Sequence, residues 1–159
     1  MKTLPIALLV FFLASVNGMD NLMGTEIQKC LNCLCHARSG CWSRFNCARY
    51  SVDKSYWLKA GSLTPQPSGT YHDGYKTCMN DENCILNTIK SYTERLGEID
   101  CNCDGKYDCK DRLAIHLFGT NCFNPSFGST YATRFNDCAK QIGVNLMSDV
   151  EENCSPEVF

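Results

Sequence analysis

The chain has 159 residues, 13 of them cysteines, and its 17 acidic residues slightly outnumber its 15 basic ones, giving a formal net charge of −2. Proteins held on nucleic acid or anionic envelopes by bulk charge are usually basic, so this balance argues against a nucleic-acid partner. The cysteine content indicates an oxidising compartment and a framework of disulfides.

The first 18 residues have the layout of a secretory signal peptide. Lys2 precedes an apolar run from Leu4 to Leu13, and small or polar residues follow as far as Gly18. The apolar run is too short to cross a bilayer, and no second one follows. We therefore expect a secreted, extracellular protein without a membrane span.

Removal of residues 1–18 leaves 141 residues, and the net charge becomes −3 because the leader carries one lysine. That length suits a single domain with a modest core. We assign the domain to residues 19–147 and interpret residues 148–159 as a C-terminal tail.

The first predicted helix follows Thr25, a candidate N-cap. Apolar residues at Ile27, Leu31 and Leu34 are spaced four and three apart, as a buried helical face requires. Gly40 suits the end of this helix, since glycine readily adopts the left-handed conformation that closes many helices.

Three further helices are predicted downstream. The second runs from the candidate cap Asp81 to Gly97, and the third from Asp108 to Phe118. The fourth lies around "TYATRFNDCAKQIG", with an apolar stripe that includes Phe135.

The segments between these helices are predicted to be loops or short strands. Residues 61–74 are rich in Gly, Pro, Ser and Thr, which indicates a loop, and the acidic run "GEIDCNCDGKYD" is interpreted as a solvated loop. The stretch "RYSVDKSYWLK" is allowed at most one short strand or hairpin. The predicted fold class is mainly α, with α+β possible, in a small disulfide-rich domain with at most a short β element.

Zinc is the alternative use of closely spaced cysteines such as those in "CLNC". Export and the number of cysteines favour disulfides, so we predict no metal and no other cofactor. His36 and His116 are interpreted as structural residues, and Trp57 as part of the core.

The chain resembles the invertebrate-type lysozymes, also called the destabilase family. The resemblance begins at "CLNCLCHARSGC" and continues through "SYWLKAG", "TCMNDENC", "TIKSYTERL", the "IH" of "LAIHLFG", and Cys122. It covers most of the chain from Cys30 to Cys138. It implies a small, mainly helical, lysozyme-like fold with a cleft that binds peptidoglycan or a related glycan.

The resemblance also implies where catalysis would occur. Active relatives carry a glutamate at the end of the first helix, which protonates the glycosidic oxygen, and an aspartate three residues after the next cysteine. Here these positions hold Arg38 and Tyr50. A guanidinium cannot act as a general acid, and a phenol poorly replaces an ionised carboxylate, so no catalytic residue is assigned.

Other departures from the family concern the cleft and an isopeptidase activity credited to some members. A segment after Tyr50 is deleted together with its serine, and Asp53 falls where the lysine of that activity would lie. Ala60 and Thr88 stand where relatives have a cysteine and its probable partner. The deletion also removes the neighbouring partner of Cys47.

Two six-residue spacings are the disulfides expected first: Cys35 with Cys41, and Cys78 with Cys84. The odd number of cysteines leaves at least one that is free, intermolecular or re-paired.

Three hypotheses for function follow. The first is a secreted lysozyme-family protein with impaired catalysis that binds bacterial glycan. The second is an active antibacterial hydrolase of peptidoglycan with a relocated acid. Four glutamates could in principle supply that acid, but we interpret them as surface residues: Glu26, Glu82, Glu94 and Glu98. The third is non-enzymatic killing through the basic surface near Arg38, Arg44 and Arg49. The sequence leaves the oligomeric state open.

Overall fold

The computed structural model describes residues 18–40, 51–65, 71–123, 128–143 and 157–158. Within these ranges the chain is mainly helical, with one pair of very short strands, which confirms the predicted fold class. The elements in chain order are α1 (Glu26–Ser39), α2 (Lys54–Lys59), α3 (Tyr71–Cys78), α4 (Glu82–Arg95), β1 (Ile99–Asp100), α5 (Cys109–Phe118), a 3-10 turn (Gly119–Asn121), α6 (Ser129–Ile142) and β2 (Glu157–Val158).

Helix α1 has the ends that its sequence predicts. The hydroxyl of Thr25 accepts a hydrogen bond from the backbone N–H of Gln28 at 3.3 Å, which caps the first turn. Gly40 adopts a φ of +70° and donates its N–H to the carbonyl of His36 at 2.7 Å. A residue with a Cβ is disfavoured in that conformation, so glycine ends the helix here.

Helices α4, α5 and α6 also confirm their predictions. The carboxylate of Asp81 caps α4 by accepting the N–H of Cys84 at 2.6 Å. Asp108 caps α5 in a reciprocal capping box with Asp111. The stripe of α6 is buried at Phe135, Cys138 and Ala139, as its apolar spacing requires.

The stretch from residue 49 to 59, for which the sequence allows at most one short strand or hairpin, has no strand in its described part, because Lys54–Lys59 form helix α2. The carboxylate of Asp53 caps this helix by accepting the N–H of Tyr56 at 2.7 Å. Trp57 is buried and donates its indole N–H to the carbonyl of Leu63 at 2.7 Å. The local alternation of polar and apolar residues was therefore overridden by a cap and one large buried side chain, and the core role predicted for Trp57 is confirmed.

The loop predicted for residues 61–74 ends earlier than expected, because α3 begins at Tyr71. Tyr75 packs against the core and donates its hydroxyl hydrogen to the carbonyl of Val52 at 2.9 Å. Cys78 and Met79 are buried one turn further on. The spacing of these three side chains gives α3 one buried face.

The solvated loop predicted before α5 is wrong at its start. Ile99 and Asp100 form β1, which pairs antiparallel with β2 in the register Ile99 with Val158 and Asp100 with Glu157. Asp100 and Asn102 are buried, since they accept backbone N–H groups of the turn that follows. The last residues of the predicted tail therefore contribute a strand to the domain.

The core lies where α1, α4 and α6 meet α2 and α3. The largest fully buried side chains of this cluster are Leu31, Trp57, Leu86, Ile89, Leu113 and Phe135. A smaller cluster lies under β1 and α5: Ile99, Cys101, Ala114, Ile115 and Cys122. No helix in the described ranges is both long and apolar enough to traverse a bilayer.

Candidate functional site

Helices α1 and α6 run antiparallel, and this arrangement decides which side chains meet at the end of α1. A disulfide joins Cys33 to Cys138, with their Cα atoms 5.5 Å apart. Seven residues further along α1, Gly40 lies against Arg134, which precedes Cys138 by one turn of α6. The last turn of α1 therefore lies beside the first half of α6.

Arg38 is exposed in the last turn of α1. It lies close enough to Tyr131 of α6 for its positive charge to act on the phenol. Burial raises the pKa of Tyr131, and the charge of Arg38 partly offsets that rise. In the part of the chain that the structure describes, the guanidinium of Arg38 forms no ion pair with a carboxylate.

Arg134 places a second guanidinium at the same end of α1. Its Cζ lies 3.0 Å from the position that a Cβ on Gly40 would occupy, so any larger residue there would have to displace this guanidinium. Tyr131 and Arg134 are three residues apart and share one face of α6. We call the surface formed by Arg38, Tyr131 and Arg134 the arginine face. None of the ion pairs within the described ranges includes Arg134.

His36 is half-buried on α1, two residues before Arg38, and interacts electrostatically with Arg134. Burial lowers the pKa of His36, the charge of Arg134 lowers it further, and the charge of Asp137 acts in the opposite direction. The imidazole is therefore neutral at pH 7 and adds no positive charge to the surface. Its burial supports the structural role expected for it.

Several residues singled out in the sequence lie outside the described part of the chain. They include Tyr50, which the resemblance places at the position of the family's aspartate, and Cys41, the expected partner of Cys35. Arg44, Arg49 and Cys47 also fall there.

A cavity of about 270 Å³ lies at the other end of α1, where its lining residues on that helix are eight to twelve positions, or about two to three helical turns, before Arg38. It contains the disulfide between Cys30 and Cys109 and borders the starts of α1 and α5. Its lining residues are Glu26, Ile27, Cys30, Asp108, Cys109, Arg112 and Gly143. Its place in the fold separates it from the position that the resemblance assigns to catalysis.

Asp111 has the titration of a general acid but not the surroundings of one. Burial raises the pKa of its carboxyl group to about 6. The side chain is fully buried and accepts the backbone N–H groups of Cys101 at 2.8 Å and Asp108 at 2.7 Å. A group without access to a substrate cannot protonate it, so Asp111 belongs to the architecture of the fold.

The glutamates considered as replacement acids occupy the helix surfaces or the loop after α4. Glu26 pairs with Lys29 at 2.6 Å in the first turn of α1, at the far end from Arg38. Glu94 pairs with Arg112 at 3.1 Å and with Lys90 at 3.7 Å. Glu82 and Glu98 are half-buried.

His116, the histidine of the "IH" motif, takes part in an aromatic cluster between α2, α4 and α5. Its Nδ1 lies 3.0 Å from the hydroxyl of Tyr56, and the ring of Tyr56 stacks on Tyr92 with centroids 3.7 Å apart. Burial raises the pKa of Tyr56, so this phenol keeps its proton. The cluster fixes α2 against α4, which supports the structural interpretation of His116.

Four disulfides join described cysteines: Cys30 with Cys109, Cys33 with Cys138, Cys78 with Cys84, and Cys101 with Cys122. The predicted pair Cys78–Cys84 is among them. Cys35 and Cys103 are disulfide-bonded as well. Because all ten described cysteines are bonded, a cysteine left over from the total of 13 is Cys41, Cys47 or Cys154.

Residues 27–155 match the family model described as Destabilase, which covers most of the chain. The chain belongs to the destabilase family. This confirms the resemblance seen in the cysteine pattern, and membership makes the protein a relative of the lysozyme-type glycoside hydrolases.

Two relatives carry the same assignment. An invertebrate-type lysozyme of Ruditapes philippinarum is 27% identical over 100 residues, which are 55% of this chain and 68% of that protein. Invertebrate-type lysozyme 3 of Caenorhabditis elegans is 26% identical over 98 residues, which are 57% of this chain and 70% of that protein. No solved structure matches the chain significantly.

Within this member of the destabilase family, sequence reasoning found Arg38 but missed Tyr131 and Arg134. The helix predicted around "TYATRFNDCAKQIG" correctly includes both Tyr131 and Cys138. The partner of Cys138 is 105 residues away, and such a pairing cannot be deduced from one sequence. Knowledge of that disulfide would have placed Arg134 beside α1.

Proposed function

We propose that this is a secreted member of the invertebrate-type lysozyme family that binds bacterial peptidoglycan and has lost, or severely weakened, the hydrolysis of its glycan. Family membership supports the glycan as ligand. The leader-like first 18 residues and the many disulfides support secretion.

The exposed guanidinium at the end of α1 carries this proposal. Cleavage of a glycosidic bond requires an acid that protonates the leaving oxygen and a second carboxylate that supports the positive sugar centre. Arg38 occupies the position that the family gives to the acid, and a guanidinium keeps its proton at any relevant pH. Tyr50 occupies the position of the second group, so both carboxylates of the family are replaced.

The described carboxyl groups offer little compensation for this loss. The carboxyl group whose pKa suits proton donation, Asp111, is buried and bound by two backbone N–H groups. Glu94 is held by two cations, and Glu26 lies at the wrong end of α1.

The proposal is tested with purified, fully oxidised protein and two assays on the same bacterial wall suspension. Co-sedimentation with insoluble peptidoglycan measures binding, and loss of turbidity measures hydrolysis. We expect binding without loss of turbidity beyond that of a boiled control. Clear lysis would overturn the loss of hydrolysis, and absence of co-sedimentation would overturn the binding.

The double variant Arg38→Glu with Tyr50→Asp restores both family carboxylates. Lysis by this variant would show that the two substitutions alone disabled the enzyme. If it is inactive, the deletion after Tyr50 contributes to the loss as well.

One observation favours an alternative, an active antibacterial hydrolase with a relocated acid. Asp137 is exposed on α6, and its charge acts on His36, two residues before Arg38. If Asp137 supplied the acid, wild-type protein would lyse the wall suspension and Asp137→Asn would abolish lysis without unfolding the protein. Lysis that survives this substitution would exclude Asp137.

A further inference from the structure

The arginine face combines two guanidinium groups with a tyrosine ring on one surface. The guanidinium of Arg134 lies across Gly40, and Arg38 lies within electrostatic range of the Tyr131 hydroxyl. Helices α1 and α6 are fixed relative to each other by the disulfide between Cys33 and Cys138. The three side chains are thus presented by two crosslinked helices rather than by a loop.

The positive charges of the arginine face are not neutralised by ion pairs within the described part of the molecule. Neither Arg38 nor Arg134 forms an ion pair there, whereas Lys90, Lys110 and Arg112 all do. Asp137, one turn after Arg134 on α6, carries a negative charge that acts on His36. The two arginines lie on a chain whose overall charge is negative.

The helix ends at this surface nearly cancel each other. The end of α1 carries a partial negative charge of roughly half a unit, and the start of α6 carries a similar positive one. Gly128 caps α6 without a side-chain hydrogen bond, so the backbone N–H groups of its first turn are not satisfied by a cap side chain. Stabilisation of the α1 end would account for one cation, Arg38, but not for the second guanidinium on α6.

The chemistry of this set matches a sugar that carries an oxyanion. Guanidinium groups bind carboxylates through paired, charge-assisted hydrogen bonds. A half-exposed aromatic ring such as Tyr131 offers an apolar surface against which a sugar ring can pack. A neutral glycan would use the ring alone, since it offers no anionic partner for the two arginines.

We propose that the arginine face binds the carboxylate of an acidic sugar, so that the protein prefers carboxylate-bearing glycans over neutral glycans of the same length. This inference rests on the proposed glycan binding and names the chemical class that the altered catalytic position selects. In this arrangement Arg38 has exchanged proton donation for anion recognition.

The test compares two soluble ligands in titration calorimetry at low salt. The acidic ligand is a tetrasaccharide of alternating N-acetylglucosamine and N-acetylmuramic acid, and the neutral one is chitotetraose. We expect the wild-type protein to bind the acidic ligand at least about tenfold more tightly, because charge-assisted hydrogen bonds are roughly twice as strong as neutral ones. The preference should shrink as salt is added.

Variants then locate the preference. Arg38→Gln and Arg134→Gln should each reduce it about threefold or more, and the double variant should bring the affinities for the two ligands to the same value. Arg38→Lys keeps the charge but loses the paired geometry, so its preference should be intermediate. Arg95→Gln is the matched control, since Arg95 is an exposed arginine on α4 outside this surface.

Each outcome decides between the proposals. Three outcomes would overturn the proposal that the arginine face binds the carboxylate. They are equal wild-type affinity for the two ligands, a preference that survives the double variant, and an equal loss of preference in Arg95→Gln. Glycan binding would remain in all three cases. Failure of the wild-type protein to bind either ligand or insoluble peptidoglycan would overturn the proposed function itself.

Discussion

The acidic segment around β1 and the start of α5 differs from the arginine face in what surrounds its charges. Asp111 accepts two backbone N–H groups, and Asp104 accepts a hydrogen bond from the ammonium of Lys110 at 2.8 Å. Arg38 and Arg134 have no such ionic partner in the described part of the chain. The acidic groups of the first region are thus bound within the fold, whereas the two arginines of the second have no carboxylate partner among the described residues.

The raised pKa of Asp111 shows that a shifted pKa alone does not identify a catalytic residue. A raised pKa is often taken as a sign of catalysis, and by that criterion Asp111 would be chosen. Its burial and its two backbone partners show that the shift reflects structural use. Exposure and the lack of an ionic partner are better guides in this molecule.

The largest effect should come from removing the disulfide that fixes the arginine face. The pair Cys33→Ala with Cys138→Ala opens a crosslink between residues 105 apart, so we expect a loss of about 4–5 kcal/mol in the free energy of unfolding. The disulfide between Cys78 and Cys84 closes a loop of only six residues. Its removal by Cys78→Ala with Cys84→Ala should lower the free energy of unfolding by about 2 kcal/mol. Urea unfolding measures both. A larger loss from the short loop would show that chain entropy does not govern these crosslinks.

The second effect concerns the pH dependence caused by Asp111. Its pKa is raised from 3.8 to about 6 in the folded protein, so the folded state binds this proton more tightly than the unfolded state. The resulting stability is fully present below pH 3.8 and is lost as pH rises through 6. Relative to Asp111→Asn, which does not titrate, the wild type should lose roughly 2–3 kcal/mol between pH 4 and 7. A difference that stays constant with pH would refute the shift.

The third effect tests how closely α1 approaches α6 at Gly40. An alanine there would have a positive φ and a Cβ only 3.0 Å from the guanidinium carbon of Arg134. We expect Gly40→Ala to cost about 1–2 kcal/mol in urea unfolding and to displace Arg134. Gly128→Ala is the control, because its φ is −57° and no atom lies within 4 Å of the added Cβ. Equal effects of the two substitutions would contradict the close approach.

The smallest effect separates a half-buried ion pair from an exposed one. Hydrogen bonding to Lys110 lowers the pKa of Asp104, so the stability from this pair is present at neutral pH and is lost as pH falls through the lowered value. Lys110→Met should cost about 1 kcal/mol at pH 7 and less at pH 3. Lys29→Met removes the exposed pair with Glu26 and should have no measurable effect. A pH-independent loss in Lys110→Met would assign its role to packing alone.

The parts of the fold that were predicted correctly depend on local signals. Thr25 and Gly40 mark the ends of α1, and Asp81 marks the start of α4, because a cap acts on backbone groups within a few residues. The pair Cys78–Cys84 was also predictable, since its cysteines are only six residues apart in the sequence.

The parts that were missed depend on contacts between distant segments. Helix α2 has only six residues and is held in place by the burial of Trp57 and the stacking of Tyr56 on Tyr92. The burial of Asp100 depends on a turn that folds back over its carboxylate. Similarly, substitution at Arg38 could be seen in the sequence, whereas its association with Arg134 required the packing of two helices.

Two positions of a crosslink inferred from the family show how the loss of a disulfide can be accommodated. Ala60 and Thr88 are both fully buried, and the hydroxyl of Thr88 donates to the carbonyl of Cys84 at 2.8 Å. Ser91 donates its hydroxyl hydrogen to the carbonyl of Ala60 at 2.7 Å, which ties the end of α2 to α4. Packing and a hydrogen bond therefore hold the end of α2 against α4.

The antiparallel pairing of α1 with α6 also sets the order in which this protein can become functional during synthesis. Arg38 leaves the ribosome early, but the helix that supplies its neighbours follows roughly a hundred residues later. A nascent or prematurely terminated chain that lacks α6 would display a solitary cation rather than a recognition surface. The arginine face is therefore complete only after α6 has been synthesised.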